Sequence, residues 1–362
     1  MEADSTRSIW VGVAGSLCHG ASMAERPVMK EWSELLAEEI VDPTRRIIDP
    51  HHHLWPPGRG LPYGLDDLHA DTSAGHHVVK TVFVECHAAY RDSGPEHLRP
   101  VGETEFVAAN AAESERRNDQ AIIAGIVAHA DLQSPHLDEI LDAHSAAGGG
   151  RFVGIRDAGA SALEPDALTI PGRAPADLYR RDRFRAGVRR LGERGLTFDT
   201  WHYHHQNQDF CDLAAAVPNT TMVLDHFGTP LGVGMFAGRR AAIFEQWKDD
   251  IAAIAENPNV VAKLGGLAMP DNGFNWHVTE LETDATPVTS DQFVDVQGPY
   301  YRHTIDCFGP ERCMFESNFP VDRWSLSYTV FWNACKKIAA DFTEAEQTSM
   351  FWGTAARVYG LQ

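Results

Sequence analysis

The chain has few cysteines, and their spacing gives no sign of a disulfide framework. No C-x-x-C pair occurs among the six cysteines of the 362 residues. A chain of this length also needs no disulfides to stabilise its core. We therefore expect free thiols in a cytoplasmic protein. The cysteines are at positions 18, 86, 211, 307, 313 and 335.

The sequence also lacks long hydrophobic runs. The segment that most resembles a signal peptide is the apolar stretch 9–17, but it is short. Glu2 and Asp4 precede it, where a signal peptide carries positive charge. We expect neither an export signal nor a membrane span.

Basic residues are scarce, with 31 Lys and Arg against 51 Asp and Glu, which gives a formal net charge of −20. Such a surface repels nucleic acids and anionic membranes. We expect a small-molecule substrate instead. An anionic substrate remains compatible with this charge only where local arginines reverse the field inside a pocket.

Eight short apolar runs are present, separated by segments with helical spacing of apolar residues. Alternation of this kind predicts βαβ units and a parallel sheet. The predicted strands are Arg46–Pro50, Val78–Cys86, Ala121–Ala128, Phe152–Arg156, Leu196–Trp201, Thr221–Asp225, Val260–Leu264 and Cys313–Phe315. The predicted helices are 103–118, 134–147, 182–194, 208–216, 237–257, 328–340 and 344–359.

Eight repeats favour an α/β fold of one domain, a distorted (β/α)₈ TIM barrel that spans residues 46–362. An open doubly wound sheet is the alternative, but no G-x-G-x-x-G follows the first strand. Residues 1–45 are predicted to be an N-terminal extension, of which 1–22 form a loose tail. A long loop at about 267–310, between strands 7 and 8, is predicted to be a lid or substrate wall.

The first predicted strand ends in the triplet His51-His52-His53. Residues i and i+2 of a strand share a face, so His51 and His53 can converge while His52 points away. Two neutral imidazoles that converge are suited to a divalent metal ion.

Other polar residues also follow apolar runs, where a parallel barrel places its active site. We interpret His87, His129, His202 and His205 as hydrogen-bonded structural or rim residues. Asp225 precedes His226 and is expected to face outward. Lys263 is interpreted either as a cation reaching the barrel mouth or as an inward partner of a substrate anion. The remaining strand-end candidates are Glu85, Asp131, Arg156, Asp157, His204, Glu316 and Asn318.

With these residues placed, the chain resembles the amidohydrolase superfamily from about Arg46 to Tyr359. The branch it resembles contains sugar-lactone lactonases and 2-pyrone-4,6-dicarboxylate lactonase. The motifs that carry the resemblance are Ile48-Asp49-Pro50-His51-His52-His53-Leu54-Trp55, Phe152-Val153-Gly154-Ile155-Arg156, Val223-Leu224-Asp225-His226-Phe227-Gly228, the stretch 314–322, and Gly353-Thr354-Ala355-Ala356-Arg357-Val358-Tyr359.

The resemblance implies a set of site residues and a cofactor. Four histidines would surround a divalent metal, Zn²⁺ or Mn²⁺, or a substrate carbonyl in a metal-free site; they are His51, His53, His204 and His226. Arg156 matches an arginine that holds an anionic substrate, and we place Lys263, Glu85 and Trp55 beside it as further substrate-binding residues. A homodimer is the expected assembly.

One departure from the family pattern concerns the eighth strand, where relatives carry an aspartate in a Gly-Ser-Asp-Trp-Pro setting that takes a proton from water. This chain has Asn318 in that position, in Glu316-Ser317-Asn318-Phe319-Pro320. An amide cannot act as a general base. Because Glu316 shares the face of Asn318, we predict Glu316 as the base or an additional ligand, with Glu85 second.

The sequence thus predicts a hydrolase that opens a lactone or a related cyclic carbonyl compound, with Glu316, His204, His226 and Asn318 as catalytic residues. Two alternatives remain open. One is a metal-dependent decarboxylase of aromatic or unsaturated acids, which needs no hydrolytic base. The other is a ligand-binding barrel that has lost its chemistry.

Overall fold

The computed structural model describes residues 32–277 and 286–361, which contain eight parallel strands joined in sequence order. Most of the predicted N-terminal extension, the tail 1–22 and the centre of the predicted lid loop lie outside these residues. The strands are β1 (Arg46–His52), β2 (His77–Val84), β3 (Ile122–Ala128), β4 (Phe152–Arg156), β5 (Thr197–Thr200), β6 (Met222–Leu224), β7 (Val260–Leu264) and β8 (Cys313–Phe315).

Helices connect successive strands and pack outside the sheet. In chain order they are α1 (Leu65–Thr72), α2 (Val101–Arg116), α3 (Leu137–Ala147), α4 (Asp182–Glu193), α5 (Asn207–Ala216), α6 (Arg240–Ala255), α7 (Ser290–Phe308), α8 (Tyr328–Ala339), α9 (Glu344–Thr348) and α10 (Thr354–Val358). A single π turn, Ser349–Gly353, links α9 to α10.

The sheet closes into a barrel through the chain that follows β8. The backbone N–H of Asn318 donates to the carbonyl of His51, and that of His53 donates to the carbonyl of Phe319. This is the (β/α)₈ architecture that the alternating pattern predicts. Apolar side chains from alternate strand positions fill its interior. They include Ile48, Val82, Val84, Val127, Val223, Val261 and Met314.

The segment 267–310, which we expected to be a loop, is only partly one. Its second half is the 19-residue helix α7. Thr289 begins this helix with a reciprocal capping box, in which its hydroxyl accepts from the N–H of Gln292 and the Gln292 amide oxygen accepts from the N–H of Thr289. This start signal is present in the sequence. The acidic, Thr-rich composition before the helix led us to extend the loop through it.

The carboxyl-terminal segment packs at the end of the barrel where the strands begin. The guanidinium of Arg46, the first residue of β1, lies 3.9 Å from the centre of the Trp352 ring. From this end Tyr359 enters the interior, is 3% exposed, and donates its hydroxyl to Oδ2 of Asp199 over 2.5 Å. The interior is therefore sealed at this end by the chain itself.

None of the helices within residues 32–277 and 286–361 has the length and apolar character that crossing a bilayer requires. The five cysteines in these residues, 86, 211, 307, 313 and 335, are free thiols, as expected; Cys18 lies outside them.

Candidate active site

The two outer histidines of the triplet in β1 converge, and an irregularity in the strand makes this possible. Between Asp49 and His52 the register against β2 shifts, because three residues of β1 advance beside two of β2. His52 therefore turns outward, where it contacts the Thr81 hydroxyl at 3.0 Å. His51 and His53 turn inward, with their Nε2 atoms 3.3 Å apart.

Glu316 binds two of the inward histidines at once. Its Oε2 lies 2.5 Å from Nδ1 of His51, and its Oε1 lies 2.7 Å from Nδ1 of His226. Oε1 thus accepts a hydrogen bond from His226, whereas Oε2, despite its short distance to His51, has no aligned hydrogen-bond donor among the described residues. Glu316 therefore orients His226, and its role as the base or an additional ligand stays a prediction.

The environments of the three imidazoles differ, because Glu316 raises the pKa of His226 whereas burial lowers the pKa values of His51 and His53. Nδ1 of His53 donates to the carbonyl of Val84 at 2.8 Å, while Nδ1 of His51 and of His226 face Glu316. A proton held on Nδ1 leaves the lone pair on Nε2. Burial, with the charge of Arg156, lowers the pKa of His53 to about 3. Burial and Lys263 lower the pKa of His51 well below its usual value.

His226 reaches this cluster because the chain turns sharply after β6. Val223 faces the barrel interior, so strand alternation also turns Asp225 inward, and our expectation that Asp225 faces outward was wrong. His226 then breaks the alternation with a left-handed backbone, φ 54°. Gly266 makes room for its ring: a Cβ at Gly266 would lie 2.0 Å from Nδ1 of His226.

Beneath the histidines, Lys263 is fully buried among carboxylates. Its Nζ lies 2.9 Å from Asp199, 3.1 Å from Asp225 and 3.9 Å from Glu316. Burial lowers the pKa of Lys263, but these three charges outweigh it and raise the pKa above its usual value. Lys263 thus takes the inward position of our two interpretations and not the barrel mouth, and a contact with substrate stays a prediction.

Arg156 and Glu85 lie beside the three histidines, on the side next to β4. Nε of Arg156 donates to Glu85 over 2.7 Å, and its Nη1 lies 3.4 Å from both Nε2 of His51 and Oδ2 of Asp225. The ion pairs of Arg156 and Lys263 thus join two buried cations to four buried carboxylates, those of Glu85, Asp199, Asp225 and Glu316. Counted as formal charges, with all four carboxylates ionised and the imidazoles neutral, the network carries a surplus of two negative charges.

A surplus of this size suits a divalent cation at the imidazole nitrogens. Ligand atoms of His51, Asp225 and His226 lie within 4.8 Å of one another. His53 adds a nitrogen beside His51. The donor set, its charge and the hydrogen bonds behind it all fit a divalent metal ion. We refer to His51, His53 and His226 as the histidine centre.

A family model described as Amidohydrolase matches residues 48–361. The chain belongs to the amidohydrolase family. A protein of Sinorhizobium fredii, described as uncharacterised, is 30% identical over 326 residues, 86% of this chain and 98% of its own. An L-fucono-1,5-lactonase of Burkholderia multivorans is 27% identical over 284 residues, 75% of this chain and 87% of its own.

A solved structure supports the fold of this amidohydrolase. It is a Burkholderia multivorans amidohydrolase with bound zinc, 24% identical, and the TM-score is 0.64 over 87% of this chain and 99% of that chain. The family membership and the lactonase relative make the protein an amidohydrolase-type hydrolase.

In this amidohydrolase His204 does not join the histidine centre, contrary to our prediction. It lies in the turn His204–Gln206 after β5, and its Nδ1 accepts the N–H of Leu231 at 3.2 Å. The residue that β5 contributes is Asp199, which we did not predict. A charged side chain in the middle of a short buried strand was the available signal; the imidazole-rich stretch that follows drew the prediction away from it.

Asn318 has a carboxylate partner one turn further along the chain. Its Nδ2 donates to Oδ1 of Asp322 over 2.9 Å, and Oδ2 of Asp322 accepts the N–H of Ala268. Asp322 is 1% exposed. Burial raises its pKa to about 7, against the opposing charge of His226. Trp55, our remaining substrate-binding candidate, lies at the edge of the centre with its ring 5.7 Å from that of His53.

The contacts of Glu316 lead to a first test. We expect Glu316→Gln to weaken Zn²⁺ binding by about 10- to 100-fold, because a neutral amide orients His226 more weakly than a carboxylate does. Competition with a chromophoric chelator measures this affinity. The matched control is Glu245→Gln, on an exposed residue paired with Lys248, which should leave the affinity unchanged. Equal affinities for the two variants would remove Glu316 from its orienting role.

Proposed function

We propose that the protein hydrolyses a lactone, with water attacking the ring carbonyl at the histidine centre. The observation that carries the proposal is the convergence of three imidazoles: the Nε2 atoms of His51 and His53 lie 3.3 Å apart, and the ring of His226 lies 4.6 Å from that of His51. This arrangement holds an electrophile in a fixed position, as hydrolysis of an ester bond requires.

The electrophile in this proposal is a divalent metal ion, Zn²⁺ or Mn²⁺. When bound, such an ion polarises a carbonyl oxygen and lowers the pKa of water. His51, His53 and His226 would hold it. The carbonyl of Val84 fixes the tautomer of His53, and Oε1 of Glu316 accepts from Nδ1 of His226. The two surplus negative charges of the buried network balance its charge.

Arg156 is the residue that we assign to substrate orientation. Its Nη1 lies beside Nε2 of His51, and its Nε is fixed by Glu85, so the guanidinium is held rigidly at the centre. A guanidinium in this position binds a hydroxyl or a carboxylate of the substrate next to the scissile ester. Glu85 then acts through Arg156, as a positioning residue.

We assign proton acceptance to Asp322, which supplies the carboxylate that Asn318 lacks. It is buried, is hydrogen-bonded to Asn318, and interacts electrostatically with His226. A carboxyl with a pKa of about 7 accepts a proton near neutral pH and can return it to the leaving alkoxide. Asn318 holds this carboxylate in place.

The L-fucono-1,5-lactonase relative suggests that the substrate is a sugar lactone. A sugar lactone also fits the polar surroundings of the centre, because its hydroxyls can bind Arg156. The binding partner in this proposal is therefore a small molecule.

The experiment is a pH-stat assay on sugar 1,5- and 1,4-lactones and 2-pyrone-4,6-dicarboxylate. We expect base uptake with Zn²⁺- or Mn²⁺-loaded protein, at least 100-fold slower in a His51→Asn/His53→Asn variant. No ring opening by either metal-loaded or chelator-treated protein contradicts the proposal. Release of carbon dioxide from hydroxybenzoates without lactone opening would assign the protein to the decarboxylase alternative.

A further inference from the structure

A second cluster of metal-binding side chains lies beside the histidine centre, at the ends of β2 and β3. Glu85 and His87 follow β2, and His129 follows β3. One ligand atom from each of the three lies within 4.8 Å of the others. The rings of His87 and His129 are 5.0 Å apart. Arg156 separates this cluster from the histidine centre.

We propose that Glu85, His87 and His129 form a second binding site for a divalent transition-metal ion such as Zn²⁺. Two imidazole nitrogens and one carboxylate oxygen are a common ligand set for zinc, and they leave a fourth position for water. The two imidazoles of this site do not belong to the histidine centre, whereas Glu85 also positions Arg156, which we assign to substrate orientation.

The carboxylate of Glu85 has one oxygen available for such an ion. Oε1 accepts from Nε of Arg156 at 2.7 Å. Oε2 is buried and lies 3.0 Å from Nε2 of His87, but no donor among the described residues is aligned for a hydrogen bond to it. A buried acceptor without a hydrogen bond is costly. A cation between Oε2 and the two imidazoles removes that cost.

The imidazole of His129 is oriented by a backbone carbonyl, whereas that of His87 lies against Glu85, which raises the pKa of His87. Nδ1 of His129 donates to the carbonyl of Arg156 at 3.2 Å, and burial lowers its pKa to about 4, so Nε2 carries a free lone pair. The turn that carries His87, with φ 60°, is fixed by Glu103. Oε1 of Glu103 accepts the N–H of Cys86 at 3.2 Å and that of Ala88 at 2.6 Å.

Buried acids around the cluster also favour a cation. Burial, together with the charge of Glu85, raises the pKa of Glu103 to about 7. Burial and the charges of Asp131 and Glu85 raise that of Asp157 to about 7. Arg156 is the neighbouring cation, and it is shared with Asp225 of the histidine centre. A divalent ion would allow these acids to ionise at lower cost.

Cobalt titration of the full chain tests the proposal. A third group of possible ligands, His97, His136 and Glu139, lies on the surface, so the parent protein carries His97→Ala and His136→Ala to remove it. Metal-free protein is titrated with Co²⁺ by equilibrium dialysis, and the visible absorption of bound Co²⁺ is recorded. Variants in this background are His129→Gln, His87→Asn and His51→Asn/His53→Asn, each compared by circular dichroism and melting temperature.

We expect two Co²⁺ per chain in the parent and one in His129→Gln. The visible absorption that this variant keeps should be that of Co²⁺ at the histidine centre. His87→Asn changes a partly exposed side chain and should weaken the binding of the second Co²⁺ at least 10-fold. The His51→Asn/His53→Asn variant should keep only the second ion. One Co²⁺ in the parent, unaffected by His129→Gln and His87→Asn, overturns the site whether or not any lactone is opened.

Discussion

Asp322→Asn is expected to reduce kcat for lactone opening by about 10²- to 10⁴-fold, the usual contribution of a positioned general base. Wild-type kcat should fall as the pH is lowered through about 7, because protonated Asp322 cannot accept a proton. Asp322→Asn should lose this acidic limb. Steady-state kinetics from pH 5 to 9 on the lactone found in the pH-stat assay measure both effects.

The matched control for this prediction exchanges two neighbouring side chains. The double variant Asn318→Asp/Asp322→Asn keeps an amide and a carboxylate in mutual hydrogen-bonding distance but moves the carboxylate to the position expected from the family pattern. We expect it to turn over faster than Asp322→Asn alone. If Asp322→Asn folds normally and works within threefold of wild type with its acidic limb intact, the base lies elsewhere.

Lys263→Met is expected to lower the free energy of unfolding by about 3–5 kcal/mol, the cost of breaking a buried ion pair by removing one partner. The side chain is fully buried, and its loss leaves Asp199, Asp225 and Glu316 facing one another without their shared cation. Chemical denaturation of chelator-treated protein measures the change without a contribution from bound metal.

Lys337→Met is the matched control, because Lys337 pairs with Asp291 on the surface at 2.5 Å. Exposed pairs of this kind contribute about 0–1 kcal/mol. The difference between the two variants therefore isolates the effect of burial. A loss for Lys263→Met no larger than that for Lys337→Met would show that the three carboxylates are not charged together in the folded protein.

The fold was predictable because strand runs and helical spacing repeat along the chain. β4, β7 and β8 have the predicted bounds, and His51 and His53 converge as expected from the i, i+2 rule. The site was harder to predict where the backbone leaves regular geometry. Asp225 points inward by alternation, and the left-handed backbone of His226 then brings the next side chain inward as well, which no alternating pattern describes.

Contacts between distant strands were beyond the reach of local sequence. Nothing in the sequence around Glu316 shows that its oxygens meet His51 and His226, or that Lys263 is enclosed by acids from three other strands. We predicted a site role for His204 because histidine is a common metal ligand. The residue that β5 contributes to the buried network is instead Asp199. Whether the chain forms a dimer stays a prediction.

The contact between Tyr359 and Asp199 has a consequence for biosynthesis. Asp199 also accepts from the Thr197 hydroxyl and from Lys263, so its set of donors is completed only by a residue near the carboxyl end. A nascent chain on the ribosome can therefore pair all eight strands while its central charges still lack one partner. The contacts of these buried charges are therefore completed after the sheet has paired, in the order of synthesis.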